Sequence, residues 1–194
     1  MILGLSLVSF SDNLITDIGQ ESNSDPKFII HGLFCLAWMV LFAIQTNLIR
    51  SLNYTTHQWL GIATLFVGAG VVASTLYVFV SIWEGWDKLV FYARPNRFLL
   101  PSFAVLIVLG YLNRENADKH KRFMYLATLY MMGPILDRIG APFGISPLVA
   151  NPLVWNGLFL SLFLYDWVTL RRIHPITYLG FIWLYVVWAI AVLT

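Results

Sequence analysis

From Phe28 to Leu193 the sequence is one long apolar stretch after another, joined by connections too short to hold a soluble domain. The hydrocarbon core of a bilayer takes about 20 apolar residues per helix, with a range of roughly 17–25. Six segments approach or meet that length: about Phe28–Ile49, Gln58–Trp83, Phe98–Leu112, His120–Ile139, Leu153–Leu170 and Ile176–Leu193. Lipid leaves no backbone group solvated, so such segments must be helical. The expected fold is all-α, a polytopic transmembrane helical bundle of about six spans. The third is short and holds Pro101, so it borrows length from the preceding "KLVFYARPNR" or tilts little. Pro134 is expected to kink the fourth.

Charge content agrees. Only 11% of the 194 residues are charged, against about 25% in soluble domains. Residues 1–27 form an apolar start, "MILGLSLVSF", and an acidic tail; they are expected at the membrane interface, with residues 28–194 as one transmembrane domain. The start has no basic flank and no small-residue cleavage site, so it does not read as a signal peptide. The net charge of +2 gives no reason to invoke nucleic acid. The single cysteine, Cys35, excludes an intrachain disulfide and any paired-cysteine metal motif.

Six crossings alternate sides. Arg50, Arg114, Lys119, Lys121, Arg122, Arg171 and Arg172 fall on one side, and Lys27, Lys88, Arg94, Arg97 and Arg138 on the other. Basic residues favour the cytoplasm, which places both termini outside it.

That topology puts three of the four histidines at one depth. His57, His120 and His174 begin the second, fourth and sixth spans at the cytoplasmic interface, and His31 begins the first at the opposite face. Imidazole ligates iron, copper and zinc, so two or three of these side chains could hold haem b or a transition metal. Equally, a histidine beside lysine and arginine can touch lipid phosphates or cap a helix, and even-numbered spans all start on one side. Pro175 after His174 is an ordinary helix-start signal.

Other polar residues lie within the spans. His31, Trp38, Phe42 and Gln45 share one stripe of the first, and Gln45 must find a hydrogen-bond partner inside the bundle. Such a stripe is either packing or the wall of a flat ligand pocket. Asp137 and Arg138 close the fourth span, and Asp166 lies inside the fifth, five residues before Arg171, where it can pair near the interface. Gly70 with Ser74 and Ala69 with Ala73 allow close helix approach. The sequence holds no GxSxG elbow, P-loop, HExxH or regular arginine series.

The blocks "HGLFCLAWMVLFAIQT" at 31–46, "HQWLG" at 57–61, "ADKHKRFMYLAT" at 117–128 followed by "GPILDRI" at 133–139, and "YDWVTLRRIHPIT" at 165–177 occur in this order. In them the chain resembles a widespread group of small, uncharacterised bacterial inner-membrane proteins. The resemblance implies a bundle of about six helices in a bacterial inner membrane, with the histidine blocks part of its pattern. A looser likeness joins it to small b-type cytochromes, whose histidines lie deeper in their spans. Two function classes follow: a haem or metal redox protein, or a non-catalytic membrane module that serves a larger complex, self-associates or binds a small lipophile. A membrane metal hydrolase using Asp166 or Asp137 is a third, weakened because Asp137 lies opposite the histidine trio.

Overall fold

The computed structural model describes residues 1–17 and 19–193 and, among them, contains no β-strand. The described residues form eight α-helices: α1 (Ile2–Ser9), α2 (Pro26–Arg50), α3 (Tyr54–Ser81), α4 (Asn96–Leu112), α5 (Ala117–Tyr130), α6 (Gly133–Ile139), α7 (Pro147–Leu170) and α8 (Pro175–Leu193). Five helical stretches are long and apolar enough to cross a membrane: Pro26–Arg50, Tyr54–Ser81, Phe91–Leu112, Pro147–Leu170 and Pro175–Leu193. The protein is therefore an all-α, multi-pass integral membrane protein. It divides into two compact units, Met1–Glu84 and Gly85–Thr194.

The first unit is an antiparallel hairpin of α2 and α3, with α1 against α2. Local chemistry sets its ends. Asp25 accepts from the Lys27 amide at 2.9 Å, and Pro26 occupies the first helical position, where its missing N–H costs nothing. Asn53 caps α3 by accepting from the Thr56 amide at 3.1 Å. Gly70 and Ser74 of α3 receive α2 as their spacing predicts, whereas Ala69 and Ala73 are exposed. The Phe34 ring fills the notch over Gly70, and His31 meets Ser74. With no hydrophobic drive between helices in lipid, this close van der Waals fit and the polar contacts hold the hairpin.

The second unit packs α4 against α5, α6 against α7, and α8 against α4, α5 and α7. The third span is indeed lengthened from its N-terminal side: a 3₁₀ turn at Phe91–Ala93 leads into α4, which carries Pro101 inside it.

The fourth span differs from a simple kinked helix. It is two helices, α5 and α6, broken at Met131–Met132, with Pro134 in the first turn of α6. Proline has no N–H to offer the carbonyl of Tyr130, four residues back, and its ring crowds that position, so the helix stops and restarts. Neither piece alone is long enough to cross, yet together they run antiparallel to α7 over its length. Tyr125 meets Ser161, Trp155 reaches back to Leu129, and Asn151 bonds Asp137. From residue 166 to residue 151 of α7 is about 22 Å of axial rise. The same segment also follows α4, from Met124 beside Gly110 to Gly133 beside Asn96. It is a broken helix that follows both neighbours from one end of the unit to the other.

Candidate functional site

The most buried polar group of the second unit centres on Asp166, whose side chain, like that of Arg122, is 0% exposed. Arg122 projects from α5 and Asp166 from α7. Oδ1 of Asp166 accepts from Arg122 Nε at 3.0 Å and also from Nη2. Oδ2 accepts from the His174 amide at 2.9 Å and from the Thr177 hydroxyl at 2.6 Å. Nη1 of Arg122 turns back to the Asp118 carbonyl at 2.6 Å. One carboxylate thus ties α5, α7 and the start of α8 together. A charge buried without such partners would cost several kcal/mol or more. Asp166 is thus paired structurally, with Arg122, while Arg171, five residues on, takes a left-handed conformation, φ 55°, at the C-cap of α7.

Arg122 is the residue that sequence reasoning missed. Its place beside Lys119 and Lys121 groups it with the interfacial basic residues, yet it is buried within α5. An arginine and an aspartate placed inside two different spans was the available signal.

His31 and Gln45 of the α2 stripe both face α3, at opposite ends of the hairpin. His31 Nδ1 lies 3.3 Å from Ser74 Oγ and 3.4 Å from Thr75 Oγ1. Both hydroxyls already donate to the Val71 carbonyl, so they accept from Nδ1–H. Cys35 Sγ is 3.7 Å from one ring nitrogen and 3.6 Å from the other. Trp38, between these ends, is fully buried.

Gln45 meets His57. With its amide nitrogen toward the ring, it donates to His57 Nδ1 at 2.5 Å and to the His57 carbonyl at 3.2 Å, and its oxygen accepts from the Gly61 amide at 2.8 Å. This amide orientation is assigned from the hydrogen bonds, since the reverse sets like groups against each other.

In the second unit, His120 Nδ1 donates to the Gly110 carbonyl at 2.8 Å. It thereby pins the start of α5 to the end of α4. His174 Nδ1 accepts from the Ile176 amide at 3.1 Å, so the ring is the N-terminal cap of α8. Burial, then the nearby Arg122 guanidinium, holds His174 below the usual histidine range.

These bonds fix tautomers. A ring whose Nδ1 accepts carries its proton on Nε2 and has no lone pair for a metal. That describes His57 and His174. His120, with Nδ1–H on a carbonyl, keeps its lone pair on Nε2. Among the described residues no three His, Cys, Asp or Glu side chains gather into a group able to hold a metal ion.

Asp137 and Arg138 lie in α6, both half-buried. Asn151, 1% exposed, donates to Asp137 Oδ1, while its own Oδ1 is buried without a partner. The chain matches no family model, no curated protein and no solved structure.

Proposed function

We propose that the protein is a non-catalytic polytopic module of a bacterial inner membrane, in which histidines and buried polar residues lock helix joints. The observation that carries this reading is the use made of the imidazoles. His57 closes on Gln45, His120 on the end of α4 and His174 on the start of α8. Each spends Nδ1 on its own unit, and two of the three spend it as acceptors. A structural role of this kind suits an accessory subunit of a larger membrane complex, a self-associating bundle or a carrier of a small lipophile. Support for the bacterial inner membrane comes from the resemblance of the four sequence blocks. Placement of both termini outside the cytoplasm rests on the seven basic residues of one side against five of the other.

A second reading, a haem or metal redox protein, is favoured by His120. Donation of Nδ1–H to a carbonyl is the arrangement that orients ligating imidazoles and raises their basicity. A ligand set drawn from His57 and His174 would require both to give up the bonds described above.

The test is an absorption spectrum, oxidised and reduced, with elemental analysis of the same gently purified sample, from cells supplied with haem and metals. The module reading expects a colourless protein with no stoichiometric metal. A Soret band that shifts on reduction, or one metal per chain, would establish the redox reading in its place.

A further inference from the structure

The Asp166 lock does more than join helices; it brings two basic connections of the second unit to one end. Oδ2 of Asp166 holds the 171–174 connection through the His174 amide. Oδ1 holds Arg122, one turn into α5, and His120 pins the same turn to the end of α4. Residues 113–119 and 171–174 therefore lie at the same end. Arg114, Lys119, Arg171 and Arg172 are all exposed there. The carboxylates available to them are two. Asp118 is already paired with Lys121 at 2.5 Å, which leaves Glu115. Lys121 also lies 5.1 Å from the centre of the Tyr165 ring. Tyr111, Tyr165 and Trp167 are exposed beside this end, the amphipathic girdle expected at headgroup depth.

In a membrane-spanning chain, a surplus of exposed guanidinium and ammonium groups just beyond an aromatic girdle meets phosphate. Arginine in particular matches phosphate oxygens with two parallel N–H donors. We propose that this end of the second unit is a binding surface for the headgroups of anionic phospholipids, with Arg171 and Arg172 on one connection and Arg114 and Lys119 on the other. The recognition is electrostatic, so it discriminates anionic from zwitterionic lipid and weakens with salt.

The experiment uses the full chain in detergent, titrated separately with phosphatidylglycerol and phosphatidylcholine, with bound lipid read by native mass spectrometry. Phosphatidylglycerol should bind more tightly, and R171Q/R172Q should weaken it about 25-fold, roughly fivefold per charge. Phosphatidylcholine binding should not change. R114Q/K119Q serves as an independent pair should the first not fold, and it should weaken binding comparably. K88Q, in the turn that precedes α4 at its other end, should leave binding unchanged. Equal retention of the two lipids would overturn the proposal. So would a loss in K88Q as large as in the paired variants, which would show attraction by net charge alone.

Discussion

Asp166 accepts hydrogen bonds on both oxygens, and every donor comes from a different segment from its own. Removing one member of a fully buried pair leaves the other charged and unpartnered, which costs about 3–5 kcal/mol. Asp166→Ala should lower stability by that order in a denaturant titration of the detergent-solubilised protein. Arg122→Leu/Asp166→Leu should cost less than Asp166→Ala, because it leaves no buried charge. A double variant as unstable as the single would mean that the remaining contacts, through Thr177 and the His174 amide, matter more than the ion pair.

His174 sits in the connection before α8 and caps that helix with a neutral ring. Its folded pKa lies below the ordinary value near 6.5, through burial first and Arg122 second. The unfolded state therefore binds the proton more readily than the folded one. Stability from this group is fully present above the unfolded value and is lost as pH falls toward the folded one. Wild-type protein should melt at a lower temperature at pH 5.5 than at pH 7.5. His174→Asn keeps a capping oxygen but no titrating ring, so its melting temperature should fall by less over the same interval. An equal fall in both proteins would remove His174 as the cause.

At the scale of the elements, the α2–α3 hairpin shows how a packing signal becomes a contact. A Cβ on Gly70 would run into the Phe34 ring. Gly70→Leu should therefore force the helices apart and destabilise the protein by about 1–3 kcal/mol, the usual range for overpacking. A neutral outcome would show that Phe34 can swing into lipid at no cost.

How far the sequence revealed each element depended on where its information lay. The spans were legible because lipid imposes length and hydropathy directly on α2, α3, α7 and α8. Gly70 and Ser74 were legible because small-residue spacing survives as packing. The break at Met131–Met132 was half legible: Pro134 announced a disruption, and whether it would kink or sever the helix depended on neighbours α4 and α7. The histidines were legible as helix starts, but their bonding was not. Gln45 with His57 and Arg122 with Asp166 join residues 12 and 44 positions apart, and no local pattern reports such pairs.

In the whole molecule, six crossings require the broken α5–α6 segment to span the membrane. It lies antiparallel to both α4 and α7 and links their ends within the second unit. The most direct measurement is the labelling of single cysteines by a membrane-impermeant maleimide, in intact cells and in inverted vesicles, on a Cys35→Ser background. The positions are Glu115→Cys before α5, Ala141→Cys after α6 and Arg172→Cys after α7; all three are exposed in the folded chain. A crossing segment predicts that positions 115 and 172 label from one side and position 141 from the other. Labelling of 115 and 141 from the same side would contradict the crossing, and with it the shared end at which the Asp166 lock and the basic rim have been placed.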